Sequence, residues 1–254
     1  MSKPLAGKIA LVTGASGAIG SAVARRLAAD GAAVLVHYGS RREQAENVAA
    51  GIQKSRGTAE LAGADLGHPD GPAQLIAQLD AAFGGKFAGR LDILVNNAGT
   101  IDLDPITVAT DESFDRLFMI NVRAMFQLTR EAARRMTASG GGRIINMGSV
   151  FGAAAPLPGL SIYGATKFAV QGFTRAWSRD LGPAGITVNN VQPAVVQAEP
   201  QPTEGGTFDA MKRFTSAGRF GKPEEVADAV AFLTSTEAAF INGATLNVDG
   251  GWSA

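Results

Sequence analysis

Cysteine is absent from the 254-residue chain, and histidine is scarce, with only His37 and His68 present. Without thiols the chain can form no disulfide framework and no thiolate metal site, and it has no cysteine nucleophile. So few histidines also disfavour a multi-histidine metal site or a Ser-His-Asp hydrolase. We therefore predict that the chain has no metal site.

Net charge is lacking as well, because 23 basic residues balance 23 acidic ones. Zero formal charge disfavours broad attraction to nucleic acid or to an anionic membrane, although it does not exclude a local basic site. There is no run of 18 apolar residues, and the apolar segment 9–12 is too short for a secretion signal. We expect a cytoplasmic protein that acts on a small molecule, with no nucleic-acid or membrane partner.

Two kinds of segment alternate along the chain. Short apolar, β-branched runs predict strands, and longer stretches of helical period predict helices. The predicted strands are 8–12, 33–37, a weaker one near 58–62, 91–95, 143–147, 186–191 and 244–248, and the predicted helices are 20–30, 41–55, 71–83, 111–138, 161–181 and 223–235. Uniformly apolar strands separated by helices predict a single α/β domain over 1–254, with a Rossmann-like doubly wound parallel sheet of about seven strands and helices on both faces.

One stretch, 192–208, has no regular period because it contains several prolines and glycines. Long loops in compact domains are often lids. We interpret about 194–216 as a substrate lid, the alternative being a Pro/Gly-rich turn.

The first predicted strand, 9–12, runs into a turn of small residues from Thr13 to Gly20. Small residues let the backbone turn sharply and approach a phosphate closely, while the free N–H groups of the following helix can bind it. By itself such a turn is often only a tight connection. At the start of an alternating β/α chain it favours a dinucleotide site.

Four polar residues are candidates for the chemistry. Tyr163 and Lys167 lie four residues apart near the start of a predicted helix, so their side chains share one face. A Tyr–Lys pair at this spacing alone occurs by chance in many helices. Ser149 follows a predicted strand, where open α/β sheets bind ligands, and Asn121 is a polar residue inside a long predicted helix that needs a partner if it is buried.

Taken together, these motifs resemble the single-domain short-chain dehydrogenase/reductase family, and within it the 3-oxoacyl-acyl-carrier-protein reductases. The resemblance extends from Gly7 to Gly251, and its further motifs are Asp65-Leu66, Asn96 to Gly99, Pro193-Ala194, Asn242-Gly243 and Val248 to Gly251. Three positions depart from the family pattern, since Ala18, Ala194 and Ala198 stand where glycine, glycine and threonine are usual.

The resemblance implies that Asn121, Ser149, Tyr163 and Lys167 form the catalytic set. Tyr163 would give a proton to the carbonyl oxygen in reduction and take it back in oxidation. A free tyrosine has a pKa of about 10, so base work near neutrality requires a fall of roughly three units, or about 4 kcal/mol. Lys167 would help to lower the pKa of Tyr163 and would hold the nicotinamide ribose. Ser149 would donate a hydrogen bond to the substrate oxygen, and Asn121 would hold a water that links Lys167 to solvent.

The resemblance also implies a site for a nicotinamide dinucleotide. Its expected residues are Gly14, Ser16, Ala18, Ile19, Gly20, His37, Ser40, Arg41, Arg42, Asp65, Leu66, Asn97, Ala98, Gly99, Tyr163, Lys167, Pro193, Ala194 and Val196. NAD sites place an acid at the end of the second strand, and that acid would repel the 2′-phosphate of NADP. Here no acid lies between the end of the second predicted strand and Glu43, and Ser40, Arg41 and Arg42 can bind a phosphate. This favours NADP(H) over NAD(H), although both arginines can instead be an exposed helix start.

We therefore predict an NADP(H)-dependent oxidoreductase that interconverts a ketone or aldehyde and an alcohol. The expected substrate-binding residues are Ser149, Phe151, Leu157, Tyr163, Val195 and Phe208. Trp252 is interpreted as a packing or subunit-contact residue, and His68 as a surface residue. Because the family commonly forms tetramers through its two long helices, here 111–138 and 161–181, the resemblance also implies a homotetramer.

Two alternatives stay open. A 3-oxoacyl-acyl-carrier-protein reductase of fatty-acid synthesis needs a positive surface for an acidic carrier, for which Arg123, Arg130, Arg134 and Arg135 are candidates, unless they are solvated or face another subunit. A non-catalytic nucleotide-binding regulator is less favoured, because all four residues of the catalytic set are present.

Overall fold

The computed structural model describes residues 3–84, 89–197 and 211–254, which form one α/β domain. Seven strands lie in one sheet, and every neighbouring pair is parallel. The strands are β1 (Ile9–Val12), β2 (Ala33–Tyr38), β3 (Thr58–Gly63), β4 (Ile93–Asn96), β5 (Gly142–Met147), β6 (Ile186–Pro193) and β7 (Thr245–Val248). Their order in the sheet is β3-β2-β1-β4-β5-β6-β7. The predicted fold is therefore confirmed, including the weak strand, which forms one edge of the sheet.

Helices cover both faces of the sheet. Those of the described residues are α1 (Ala18–Ala29), α2 (Arg42–Lys54), α3 (Gly71–Ala82), α4 (Asp111–Phe118), α5 (Ala124–Ser139), α6 (Ser161–Leu181) and α7 (Pro223–Thr234). One apolar core joins the sheet to α1, α2 and α7, and a second joins it to α3 and α5 and the edge of α6. Each strand of the centre therefore lies between two layers of helices.

The strand β1 illustrates why these segments are apolar at every position. Successive side chains of a strand point to opposite faces. Ala10 and Val12 lie in the first core, whereas Ile9 and Leu11 lie in the second, and all four are fully buried. A strand covered on both faces has no position for a polar residue that faces water.

The prediction of one continuous helix over 111–138 is wrong in one respect. Met119–Arg123 form a π-helical turn between α4 and α5, so the predicted helix is interrupted. A π turn accommodates one extra residue and often occurs at a functional site. Apolar periodicity does not reveal it, because helical spacing continues on both sides.

From β1 the chain adds β2 and β3 on one side and then β4 to β7 on the other, so a crevice opens at the carboxyl ends of the neighbours β1 and β4. Doubly wound sheets bind ligands in such a crevice. The turn after β1, the segment after β4 and Ser149 after β5 all lie at this edge. Among the helices of the described residues, none has both the length and the apolar character needed to cross a membrane.

Candidate active site

The turn after β1 requires glycine at two positions. Gly14 has a φ of +63°, and a Cβ there would lie 2.9 Å from the Cα of Ala98. A Cβ on Gly20 would lie 2.4 Å from the carbonyl oxygen of Gly14. Ala18, by contrast, is the first residue of α1 and has helical geometry, which alanine adopts without strain. The departure from the family pattern at Ala18 therefore does not distort the turn.

Side chains hold this turn against the segment after β4. The hydroxyl of Thr13 accepts hydrogen bonds from the backbone N–H groups of Asn97 and Ala98, each at 2.9 Å. The amide of Asn97 donates to the carbonyl oxygens of Thr13 at 2.8 Å and of Gly14 at 3.2 Å. Neighbouring loops of the crevice are thus fixed to each other.

His37 connects the turn to the third strand. Its Nδ1 accepts a hydrogen bond of 2.9 Å from the N–H of Gly14, so its Nε2 carries the proton and donates to the carbonyl oxygen of Ala64 at 3.0 Å. The ring is 2% exposed, and burial lowers the pKa of His37 to about 4. The sequence predicted His37 as a lining residue of the adenosine pocket, and it does line the cleft there. Its two ring nitrogens, however, are both occupied by the backbone.

A cleft of about 520 Å³ runs beside the turn. Nine predicted cofactor residues line it: Gly14, Ser16, His37, Ser40, Arg41, Asp65, Leu66, Ala98 and Gly99. Gly39, Gly67, Thr100 and Ile120 also line it and were not predicted. The cleft borders the turn after β1 and the start of α1, and its lining includes both polar side chains and apolar surface, which fits the phosphates and the adenosine of a dinucleotide.

The two arginines at the start of α2 have different surroundings. Arg41 lines the cleft, and its guanidinium Nη2 lies 3.2 Å from the position that a Cβ on Gly17 would occupy. Arg42 instead donates a hydrogen bond of 2.8 Å to Glu46 one turn along the helix, and its side chain is 70% exposed. Only Arg41 therefore has its guanidinium beside the turn.

A second cavity, of about 220 Å³, lies next to the cleft and shares Gly99 and Thr100 with it. Three residues of the predicted catalytic set line it, namely Ser149, Tyr163 and Lys167. The predicted cofactor residues Ile19, Asn97, Pro193 and Ala194 are also in its wall. Ala18, Gly20, Arg42 and Val196 are in the wall of neither space; Val196 pairs with Gly221 in an isolated bridge.

Tyr163 and Lys167 lie side by side at the start of α6. The Nζ of Lys167 is 5.6 Å from the centre of the Tyr163 ring and donates a hydrogen bond of 2.9 Å to the carbonyl oxygen of Met147. Burial lowers the pKa of Lys167 to about 8. Burial raises the pKa of Tyr163, and a side-chain hydrogen bond with Ser149 partly opposes this rise.

Asn121 lies in the π turn and joins three segments. Its Oδ1 accepts a hydrogen bond of 2.8 Å from the N–H of Thr100, and its Nδ2 donates to the carbonyl oxygen of Thr100 and the hydroxyl of Thr166. Thr166 in turn donates to the carbonyl oxygen of Tyr163 at 2.7 Å. Thr100 and Thr166 were not predicted. Thr166 lies between Tyr163 and Lys167 in the sequence, and Thr100 directly follows the Asn96–Gly99 motif, so their positions were the available signal.

Comparison with known proteins identifies the family. A family model described as Enoyl-(Acyl carrier protein) reductase matches residues 14–253. A short chain dehydrogenase from Burkholderia cenocepacia J2315 in complex with NADP is 40% identical, with a TM-score of 0.92 over 99% of this chain and 100% of that one. The chain belongs to the short-chain dehydrogenase/reductase family. It is therefore an oxidoreductase of carbonyl and CH–OH groups that uses a nicotinamide cofactor.

Two further relatives of this short-chain dehydrogenase/reductase carry names that describe different activities. The landomycin C-6 ketoreductase LanV, solved with NADP and rabelomycin, is 37% identical, with a TM-score of 0.90 over 98% of this chain and 97% of that one. The cyclic-di-GMP-binding biofilm dispersal mediator protein of Escherichia coli strain K12 is 37% identical over 248 residues, which are 98% of each chain. Family membership alone therefore does not define the substrate.

A row of aromatic rings begins at Tyr163 in this short-chain dehydrogenase/reductase. Phe151 meets Tyr163 edge to face, with centroids 6.4 Å apart, and meets Trp252 in the same way at 6.0 Å. Trp252 also contacts Phe214 at 5.0 Å. Nothing in the sequence connects Trp252 with the predicted substrate residues, because about 90 residues separate it from Tyr163.

Two of the remaining predicted substrate residues do not line the cavity around Tyr163, and one is not described. Leu157 is half-buried and Val195 lines a separate cavity, and neither is in the wall around Tyr163. Phe208 and Ala198 lie outside the described residues, as does most of the irregular stretch of the predicted lid. The exposed His68 accepts a hydrogen bond from the N–H of Asp70, consistent with a surface residue.

Proposed function

We propose that this chain reduces a ketone or aldehyde with NADPH, and oxidises the alcohol in the reverse direction, with Tyr163 as the proton donor and acceptor. The observation that carries the proposal is the meeting of Ser149, Tyr163 and Lys167 in one cavity that opens beside the dinucleotide cleft. A bound nicotinamide nucleotide supplies the hydride. The protein then has to orient the carbonyl group and deliver a proton to its oxygen.

Ser149 and Tyr163 are the two hydroxyl groups that would bind the carbonyl oxygen. Both residues lie in the wall of the same cavity, so both hydroxyl groups can face one carbonyl oxygen. Ser149 would donate a hydrogen bond to the oxygen as negative charge develops there, and Tyr163 would pass its proton to it. After the proton has left, the phenolate needs a neighbouring positive charge.

Lys167 is the positive charge that the chain provides. With a pKa of about 8, its ammonium group is mostly protonated at pH 7, and it lies against the ring of Tyr163. Opposite charge at this separation favours the phenolate and so opposes the effect of burial on the tyrosine. Lys167 would also hold the nicotinamide ribose, with its hydrogen bond to Met147 fixing the direction of the side chain.

Asn121 would take part in returning the proton. Its Oδ1 and the Nζ of Lys167 both flank Gly99, at 3.2 Å and 3.7 Å from the position that a Cβ there would occupy. A water bound between these two atoms would link Lys167 to solvent. The absence of a side chain at Gly99 leaves room for it.

NADP(H) is the proposed dinucleotide because of the end of β2. Arg41 and Ser40 line the cleft there, and no carboxylate lies between the end of β2 and Glu43 to repel a 2′-phosphate. A guanidinium binds a phosphate through two parallel hydrogen bonds. The complexes of the Burkholderia enzyme and of LanV with NADP support this assignment.

The aromatic row supports a substrate with a hydrophobic, ring-containing group. Phe151 contacts the ring of Tyr163, and Trp252 contacts Phe151, so the row of rings begins at the reacting residue. Aromatic rings bind other rings by edge contacts and by offset stacking. LanV, a ketoreductase solved with rabelomycin, supports this class of substrate.

The carrier-protein alternative has less support. Arg135 binds Asp80 and Glu131, and Arg134 also lies within 4 Å of Glu131, so two of the four predicted arginines are already paired with carboxylates. Arg130 lies over the ring of Phe126. The predicted homotetramer stays a proposal, for which the exposed Phe126 on α5 and Phe168 on α6 are candidate contacts.

The test is a panel of ketones, aldehydes and 3-oxoacyl thioesters, each assayed at 340 nm with NADPH and with NADH. We expect turnover with NADPH, fastest on aryl ketones. Preference for the thioesters would favour the carrier-protein alternative. Binding of NADPH without turnover on any substrate would favour the non-catalytic regulator. Faster turnover with NADH at limiting cofactor would contradict the role of Arg41.

A further inference from the structure

A cavity of about 730 Å³ lies at the opposite edge of the sheet from the active site. Its lining comes from the amino ends of β5 and β6, the last turns of α6 and the segment that precedes β7. Lys167 and Arg179 are twelve residues apart on α6, which is about 18 Å at 1.5 Å per residue. The cavity is therefore distinct from the site proposed for catalysis, and ligand binding there would be independent of the proposed function.

Three arginines line this cavity, namely Arg143, Arg175 and Arg179, and none of its described lining residues is acidic. No ion pair connects any of the three with a carboxylate of the described residues. The chain as a whole is neutral. Three uncompensated guanidinium groups around one cavity are thus a local concentration of positive charge that attracts anions.

The wall of the cavity also holds polar atoms that lack partners. The Nε of Arg143 and the hydroxyl of Thr187 are buried without a hydrogen bond, and the rest of the Thr187 side chain is nearly buried as well. A buried polar group without a partner costs about 1–3 kcal/mol. Burial without a compensating charge also lowers the pKa of Arg143. Small rotations of these two side chains would bring their donors to an anion in the cavity.

An apolar ring completes the rim. Phe240 lines the cavity with its side chain fully exposed, and no ring contact involves it in the described part of the chain. Exposed aromatic rings provide faces on which flat ligand rings stack. The base of the cavity is rigid by comparison, because the Asn242 side chain binds the backbone of Val188 and of Ser178.

We propose that this cavity binds a nucleotide-like ligand, whose phosphates contact Arg143, Arg175 and Arg179 and whose flat ring lies on Phe240. Guanidinium groups bind phosphate oxygens bidentately, and several of them around one ligand select for more than one negative charge. The volume accommodates a mononucleotide. In the single chain Arg175, Arg179 and Phe240 are exposed, so the cavity is open on this side.

The test is calorimetric titration of the full chain with GMP and, separately, with inorganic pyrophosphate, at low salt and with NADP⁺ present to occupy the cleft beside Gly14. We expect both probes to bind. Arg175→Gln/Arg179→Gln should weaken both at least tenfold, and Phe240→Ala should weaken GMP several-fold while leaving pyrophosphate within twofold. The control is Arg56→Gln/Arg123→Gln, which removes the same charge from exposed positions elsewhere and should leave both affinities within twofold.

Two outcomes would overturn the proposal: both double variants lose affinity equally, or neither probe binds the parent chain. In the second case, sedimentation of Arg175→Gln/Arg179→Gln tests whether the oligomeric state changes. Such a change would mean that the arginines face carboxylates of a second copy. All variants are compared by circular dichroism and thermal melting. The substituted side chains are exposed, so we expect unchanged melting temperatures.

Discussion

On the β1–β3 side of the carboxyl edge, side chains hydrogen-bond to backbone, as His37 does to Gly14 and Ala64 and Asn97 does to Thr13. On the β5 side, the ring of Tyr163 is followed by Phe151 and Trp252 in edge contact. Hydrogen bonds with backbone groups fix position closely, whereas apolar contacts tolerate changes of shape. The dinucleotide half is therefore fixed by the scaffold, and the substrate half can vary without disturbing it.

Tyr163 lies where the two halves meet, and replacing it is expected to have the largest effect. Tyr163→Phe removes the proton donor but keeps the ring that contacts Phe151. We expect kcat to fall by about a thousandfold, within the range that general acid catalysis contributes, with the KM for NADPH within twofold. Steady-state kinetics measure both. Tyr38→Phe, the change at the only other tyrosine of the sequence, should leave kcat nearly unchanged; equal losses in both variants would contradict the assignment.

His37 tests how firmly the dinucleotide half is fixed. Its pKa is about 4 in the folded chain and 6.5 in an unfolded one, so the unfolded state binds the proton more readily. Stability is therefore full above about pH 6.5 and is lost as the pH falls toward 4, by about 3 kcal/mol in all. Urea denaturation at pH 7 and pH 4 measures this loss.

Carboxylates also titrate over this pH range. The informative quantity is therefore the difference between the parent chain and His37→Gln in the unfolding free energy lost from pH 7 to pH 4. Glutamine keeps one donor and one acceptor but has no titration. The variant should lose about 3 kcal/mol less than the parent chain between pH 7 and pH 4. Identical losses in both proteins would mean that His37 is not held neutral.

The close packing at the turn is tested by Gly20→Ala. The added methyl group would meet the carbonyl oxygen of Gly14, and overpacking of this kind costs about 1–3 kcal/mol. We expect a lower melting temperature and weaker NADPH binding. Gly172→Ala, at a helix position with open space around it, is the matched control and should stabilise the chain by about 0.5–1 kcal/mol. A Gly20→Ala protein as stable as the parent would show that the turn can rearrange to accommodate the methyl group.

Arg41 and Arg42 offer a matched pair for cofactor choice. Arg41→Ala should raise the KM for NADPH about tenfold, or about 1.4 kcal/mol. The KM for NADH should change little, because NADH has no 2′-phosphate for Arg41 to bind. Arg42→Ala should change neither KM by more than twofold, since Arg42 binds Glu46. The reverse pattern would assign the phosphate to Arg42.

The smallest expected effect concerns the substrate half. Trp252→Leu removes the ring between Phe151 and Phe214. Aromatic pairs contribute about 0.5–1.5 kcal/mol beyond area, so the KM for a bulky aryl ketone should rise three- to tenfold. The KM for a small aliphatic ketone should stay within twofold. Equal changes for both ketones would indicate that Trp252 supports packing only.

Local periodicity was sufficient for the sheet and for most of the helices, but not for the π turn that interrupts the helix predicted over 111–138. The positions of Ser149, Tyr163 and Lys167 could be predicted because each lies beside a recognisable motif. The features that could not be predicted depend on contacts between distant segments. The position of the Arg41 guanidinium beside Gly17 and the contact of Trp252 with Phe151 are set by packing across the fold and leave no periodic signal. The Arg42–Glu46 pair, by contrast, is a local contact one helical turn long.

The π turn at Met119–Arg123 limits how this helix can be altered. Successive residues of an α-helix are separated by about 100° around its axis. Because the π turn accommodates one extra residue, deleting a single residue from it would allow regular α-helical winding through this segment and would change which of its residues face the neighbouring segments. The amide of Asn121 would then leave Thr100 and Thr166, although the composition would hardly differ. The helix therefore cannot be shortened by one residue without loss of the link between these segments.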